Sequence, residues 1–432
     1  MLKKYFAPGS LFSYKGYRNF FISGLIFVLG SSAFPIALAV TVLDNGGDAS
    51  ALGLILAARV LSGTIFMLIG GVWADRLPRK WIMIGADSFR AALCIVLLIV
   101  SANDLPLWAV GVLVFLMGLG DSFGAPAGSA IVPSLLPDHL LPQGNVAKGI
   151  VGKVGTIVGP GLGGLSIAIV GADWTFAFIG IFFLIATSLI FTINEPPRQE
   201  ILEDKPTFLF ELREGFKLVW EIKWIAASIA MASFQLMVIV AAETVLLPVI
   251  TRREFGTDSV FALSAAAFSL GGMISAIVAI KLKTKKPGLL AISWWALFAV
   301  APLVLAFPIN ETVVVVGYLI AGLSIGGWEA YWVTSVQREV PQDMQGRVFS
   351  IDMVGSGGLM PIGMALVGPA VALMGERTFL LGAIVFHVLI CYLVLLVPGV
   401  AEMRDPRRRV EDDSTQNEST QNDSTKSEQS QA

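Results

Sequence analysis

The sequence predicts an all-α membrane protein of twelve transmembrane helices in two pseudo-symmetric six-helix bundles, and three observations predict it. Charged residues make up 14% of the chain and hydrophobic residues 55%, where soluble domains carry roughly 25% charged residues. The apolar residues gather in runs of about 20, the length that crosses a ~30 Å hydrocarbon core. The runs fall six and six about one polar stretch, Asn194 to Lys223, as in a duplicated bundle.

Taken in order, spans 1 to 6 are expected at about 19–43, 51–72, 81–101, 107–125, 146–170 and 173–193. Spans 7 to 12 follow at about 224–250, 259–281, 288–308, 312–336, 348–373 and 378–400. With the N-terminus in the cytoplasm, 23 of the 30 lysines and arginines lie in cytoplasmic segments and three (Arg252, Arg253, Arg377) outside. The other four, Arg59, Arg90, Lys148 and Lys153, lie within spans. Cytoplasmic loops carry the excess of Lys and Arg, so both termini are expected in the cytoplasm and the chain in a bacterial inner membrane.

The domains expected are residues 1–193 and 224–400 for the two bundles, a linker at 194–223 and a tail at 401–432. In the linker, Phe208, Phe210, Leu212, Phe216, Leu218, Val219 and Trp220 alternate with Glu211, Arg213, Glu214, Lys217 and Glu221. That pattern reads as an amphipathic helix on the membrane surface. The tail from Glu411 repeats Ser-Thr-Gln-Asn without aromatics and is expected to be disordered.

Composition narrows the chemistry. A net charge of −2 leaves no nucleic-acid footprint, and Cys94 and Cys391 both sit in apolar runs, which implies no disulfide framework. Met1 to Ser13 shows no small-residue cleavage site after a short apolar core, so no cleaved signal peptide is expected. Two histidines make no metal cluster. Gly149-Ile150-Val151-Gly152-Lys153 imitates a phosphate loop but has the wrong spacing and lies in a span. No cofactor, metal or enzymatic activity is expected; an ion gradient would supply any energy.

The loop between spans 2 and 3 reads Gly71-Val72-Trp73-Ala74-Asp75-Arg76-Leu77-Pro78-Arg79-Lys80. It resembles the loop signature of the major facilitator superfamily, with Pro78 where a second glycine is usual. A carboxylate such as Asp75 can dock on a helix N-terminus, and span 11 begins near Gly346-Arg347 on the same face. Gly71, Asp75, Arg76, Arg79 and Lys80 are therefore a candidate conformational switch. Span 5 carries Gly155, Gly159, Pro160, Gly163 and Gly164, which resembles the family's antiporter motif, although Val146 stands where a further glycine is expected. Glycines at this density also let helices pack closely. Phe123-Gly124-Ala125-Pro126-Ala127, Glu211-Leu212-Arg213-Glu214-Gly215-Phe216 and Gln345-Gly346-Arg347-Val348-Phe349-Ser350 are similar to the drug-efflux branch that contains macrolide exporters and the enterobactin exporter. The resemblance implies the major facilitator fold and favours export. In the second half, Lys281-Leu282-Lys283-Thr284-Lys285-Lys286 lacks the carboxylate, so only the first half is expected to carry the docking interaction.

Charges inside a membrane cost roughly 2.5–3.5 kcal/mol each on insertion scales, so each needs a reason. Arg59 and Glu243 are expected at matching depth near the outer side, and Lys153 and Glu329 near the inner side. Each pair reads either as a latch between the bundles or as separately neutralised charges. Asp87 and Arg90 share a helix face and, with Asp121, are expected to anchor the Arg76/Arg79 loop. Asp121, Glu243 and Glu329 are the candidate proton carriers. Phe234 and Gln235 of span 7, with Trp328 and Tyr331 of span 10, are the candidate cavity-lining residues. His387, alone in span 12, reads as a packing residue, and Trp332, beside Trp328 and Tyr331, reads either as a ring that stacks on a substrate or as an interface anchor.

The reading is a monomeric secondary exporter of amphipathic organic compounds, a proton antiporter working by alternating access in the lipid bilayer. A siderophore or lipid exporter of the same fold and a non-transporting membrane sensor are the alternatives.

Overall fold

A computed structural model describes residues 9–103, 106–195, 208–282, 284–341 and 344–404, with side chains apart from those at 68–76, 153, 156 and 208–212. All regular structure among these residues is helical. Span 1 is Lys15–Asp44, span 2 Ala49–Arg76, span 3 Arg79–Ala102 and span 4 Leu107–Ala130. Leu141–Phe191 holds spans 5 and 6, which part at Gly171, where φ is 84° and ψ 167°. A backbone with positive φ suits glycine, which has no Cβ to clash. The break falls where the sequence places it.

In the second half, span 7 runs Lys223–Gln235, turns through a π segment at Leu236–Val240, and continues as Ala241–Phe255. Span 8 is Ser259–Lys281 and span 10 Glu311–Glu339. Span 9 is Pro287–Ala296 and Val300–Ala306 around a 3-10 turn. Span 11 is Gln345–Gly357 and Met360–Met374. Span 12, Glu376–Val394, stops six residues short of the expected end. The chain then folds back: the Leu289 amide donates to the Ala401 carbonyl at 3.0 Å, and Val400 and Met403 are buried. The linker helix, Phe208–Glu221, is present and packs against the start of span 11. The tail beyond residue 404 lies outside the described residues.

The apolar core is divided in a way that positions the site. One cluster joins both bundles: Ala33, Phe34 and Leu38 of span 1 and Leu52 of span 2 pack with Val245, Leu246, Met364 and Val367 of the second half. All lie toward the ends of the spans opposite the chain's N-terminus, here called the distal face. Toward the other face the core splits. Tyr17, Phe20, Ile131, Leu136 and Ile190 form one cluster inside the first bundle. Trp224, Ile225, Trp332, Val336 and Val348 belong to another inside the second.

Close backbone approach explains the distal seam. A side chain at Gly53 would meet the Met364 carbonyl, and one at Gly368 would meet Ser50. A Cβ at Gly164 of span 5 would lie 2.5 Å from Ala262 Cβ of span 8. Large residues at these positions would hold the bundles apart.

Candidate functional site

The middle of the first bundle holds a network of four charges. Arg59 of span 2 donates to Asp121 Oδ2 of span 4 from Nε at 3.2 Å and Nη2 at 3.0 Å. Arg90 of span 3 donates from Nε to Asp121 Oδ1 at 3.0 Å, from Nη1 to Asp87 Oδ1 at 2.5 Å, and from Nη2 to the Gly120 carbonyl at 2.6 Å. Each guanidinium also covers an aromatic ring, Arg59 on Phe34 at 4.7 Å and Arg90 on Phe27 at 5.0 Å. Gly120 and Gly124 leave the room that Arg90 fills; a Cβ at Gly124 would sit 2.7 Å from Arg90 Nη2. The buried charges are thus paired and hydrogen-bonded, the condition under which low dielectric strengthens a network rather than penalising it.

One sequence expectation is corrected here, and a second in part. Arg59 does not latch to Glu243: its guanidinium is taken by Asp121 within its own bundle. Asp87, Arg90 and Asp121 close on one another; among the described residues none of them pairs with Arg79, and the side chain of Arg76 lies outside the described residues. Glu195, just past the end of span 6, holds the end of the loop where span 3 begins. Its carboxylate accepts from the Arg79 amide at 3.3 Å and the Lys80 amide at 2.9 Å, at the free N–H groups that open span 3. Lys80 Nζ donates to the carbonyls of Phe191 and Ile193 at 2.8 and 2.7 Å. The side chains of Asp75 and Arg76 and the surroundings of Gly71 lie outside what is described. At the start of span 11, Arg347 pairs with Glu214 of the linker helix at 2.7 Å, and Gly215 packs within a Cβ's reach of Ile351 and Arg347.

The glycines of span 5 form its contact with span 1. Side chains at Gly155, Gly159 and Gly163 would run into Val28, Ser32 and Ala33. Pro160, on the same helix, lines a cavity of about 330 Å³ between the bundles. Ser32, Pro35 and Ile36 of span 1 face Glu243, Phe268 and Tyr318 of the second half across it. Among the described residues no lysine or arginine pairs with Glu243. Thr244 Oγ1 reaches its carboxylate at 3.5 Å. The Tyr318 phenol lies near enough to interact with it, yet no partner in proper hydrogen-bond geometry meets the buried Tyr318 hydroxyl. Glu243 therefore lies at the seam between the bundles as a carboxylate without a cation.

A second cavity, of about 490 Å³, lies inside the first bundle between spans 1, 3, 4 and 5. Its floor is Asp87, Arg90 and Asp121, and its walls include Phe20, Phe21 and Phe27.

The expected cavity residues of the second bundle fare differently. Gln235 is wholly buried and does not line either cavity. Its Oε1 accepts from Trp295 Nε1 at 2.6 Å, and its Nε2 donates to the His387 carbonyl at 3.3 Å and Cys391 Sγ at 3.1 Å. It ties span 7 to spans 9 and 12 just before the π segment. Its amide is consumed by structure, because a buried polar group must find partners. Tyr331 is likewise engaged, donating to the Leu282 carbonyl at 3.2 Å. Trp328 stacks on Trp332 with centroids 5.8 Å apart, and Phe234 is exposed. Trp332 is buried, not an interface anchor, and donates to Asp352 Oδ2 at 2.8 Å. His387 is buried with Nε2 3.1 Å from the Trp295 carbonyl, as a packing residue should be. Glu329 is exposed on span 10; the side chain of Lys153, its expected partner, lies outside the described residues.

Two groups escaped the sequence reading. Asp352 of span 11 accepts from Trp332 and, at 2.8 Å, from Ser356; a charge inside an apolar run was the signal. Arg252 and Asp44 pair across the bundles at the distal face. Both read as loop charges, and no sequence pattern joins residues 208 positions apart.

Comparison with known proteins agrees with this architecture. The family model of the Major Facilitator Superfamily matches residues 20–364. Macrolide efflux protein A of Streptococcus pyogenes is 24% identical over 388 residues, covering 87% of this chain and 94% of that protein. Multidrug efflux pump Tap of Mycobacterium tuberculosis is 26% identical over 375 residues, covering 82% and 87%. Among solved structures, the nucleoside transporter NupG superposes with a TM-score of 0.67 at 13% identity over 88% of this chain and 98% of that one. A D-xylose-proton symporter superposes with a TM-score of 0.68 at 13% identity over 90% and 100%. With twelve spans in two bundles and a family match over most of its length, this multi-pass membrane chain belongs to the Major Facilitator Superfamily of transporters.

Proposed function

We propose that the chain is a secondary active exporter of amphipathic organic compounds that exchanges them for protons by alternating access. The observation that carries this reading is the divided core: one apolar cluster shared by both bundles at the distal face, and a separate cluster in each bundle toward the other. Two rigid bodies joined at one end and separable at the other are what rocking about a central site requires. With the N-terminus placed in the cytoplasm by the lysine and arginine bias, the parted ends face the cytoplasm, the side from which an exporter loads. The names of the similar efflux proteins favour drug-like cargo and a bacterial inner membrane.

Of the three candidate proton carriers, Glu243 fits best. Asp121 is held between two arginines of its own bundle, away from the seam between the bundles. Glu243 sits at the moving seam beside Tyr318, where protonation would alter how the bundles meet.

The test is transport in proteoliposomes with an imposed pH gradient and a radiolabelled macrolide. Uphill accumulation that a protonophore abolishes is expected. Glu243→Gln should lose accumulation while keeping downhill flux. Uphill transport with no ion gradient, or undiminished accumulation in Glu243→Gln, would overturn the respective part.

A further inference from the structure

The cavity of the first bundle contains one charge that the network at its floor does not use. Lys148 of span 5 lines it. Its Nζ donates to Ser129 Oγ at 2.9 Å and to the Gly128 carbonyl at 3.3 Å. Both acceptors are neutral, and among the described residues no carboxylate pairs with it. Asp87 and Asp121 are already engaged by Arg59 and Arg90. Taken as ionised, three cations therefore face two anions, and the surplus is Lys148.

Lysines near helix ends ordinarily snorkel to the membrane surface. Here the partly buried ammonium reaches across the mouth of the cavity to the end of span 4, held by two acceptors on consecutive residues. An ammonium has three donors, so one remains for an occupant. Around it the walls are apolar and aromatic, with Phe20, Phe21, Phe27 and Val28 from span 1. The volume, about 490 Å³, falls in the range of small-molecule pockets, roughly 300–1,000 Å³.

We propose that this cavity binds amphipathic organic acids, with the apolar body against the span 1 aromatics and the acidic group on Lys148. The proposal deepens the exporter reading and rests on it for the claim that the bound acid is cargo. A single oriented cation at an apolar cavity discriminates by charge, because a carboxylate adds a charge-assisted hydrogen bond that an uncharged ester cannot match.

Cholate, a rigid amphipathic carboxylate, and its uncharged methyl ester test this by equilibrium binding to the full chain in lipid nanodiscs. The wild type should bind cholate about tenfold more tightly than the ester, the scale of one charge-assisted contact. Lys148→Gln should lose that preference with ester binding unchanged, which also certifies its fold, and Lys148→Arg should keep it. Equal binding of acid and ester by the wild type, no binding of cholate, or an undiminished preference in Lys148→Gln would overturn the proposal. Proteoliposome transport separates the two claims. Binding as described without transport of cholate sinks the exporter reading and leaves the site standing. Cholate export by Lys148→Gln equal to wild type sinks the site and leaves the exporter reading standing.

Discussion

Arg252, near the distal end of span 7, forms an ion pair with Asp44 at the end of span 1 and donates from Nη1 to the Val40 carbonyl at 3.2 Å. It bridges the two bundles and sits over the shared core. Asp258 approaches the same guanidinium at 3.8 Å from the start of span 8.

Arg252→Gln should therefore loosen the distal closure. The pair is partly exposed, so its worth is about 0.2–1 kcal/mol, a shift of about 1.4- to fivefold in a two-state population. Thiol labelling of single cysteines introduced on the distal face should speed up by that factor in Arg252→Gln and in Asp44→Asn. The double variant should go no further than either single one. Unchanged labelling in both singles would remove the pair from the gate.

Gly164 and Gly161 make a paired test of the seam. Gly164→Leu would drive a side chain into Ala262 of span 8, whereas a Cβ at Gly161 meets nothing within 4 Å. Overpacking costs about 1–3 kcal/mol, here levied on the closed distal face alone. Gly164→Leu should increase distal labelling and slow transport, and Gly161→Leu should do neither. Equal behaviour of the two would show that the seam is not rigid.

The charge network of the first bundle should be worth more to stability than to gating. Asp121→Asn leaves Arg59 and Arg90 short of their shared anion at a part-buried site, a loss of about 1–3 kcal/mol. Thermal unfolding in detergent should drop sharply, and less so in the double variant Arg59→Met/Asp121→Asn. A stability equal to wild type in Asp121→Asn would mean water reaches the network freely.

Gln235→Leu should orphan the Trp295 indole N–H, at a cost of about 1–3 kcal/mol. Trp295→Phe removes the same bond from the other side, so the two changes should be non-additive in a thermal-unfolding cycle. Simple addition would indicate that the amide does not join the two spans.

Much of this fold was legible because the bilayer writes it into composition. Every backbone group inside hydrocarbon must be satisfied within a helix, so the length of each apolar run is the length of a span. The break at Gly171 appears on schedule for that reason. The loop basic residues, the amphipathic linker and the glycine face of span 5 follow from equally local causes. Partner choice does not. Arg59 and Glu243 share a depth and oppose in sign, but depth leaves rotation about the helix axis open. Packing of span 2 on span 4 turns Arg59 to Asp121. Gln235 reads as a polar group available to a cavity, yet the rotation of span 7 aims it at Trp295 and Cys391. Glu195 takes the amides at the start of span 3 because span 6 ends beside it, a proximity set by packing across 116 positions. The sequence by itself determined the number, length and order of the helices, through the solvent they must cross. Which faces meet, and so which charges are paired and which are left for function, was decided by how those helices pack.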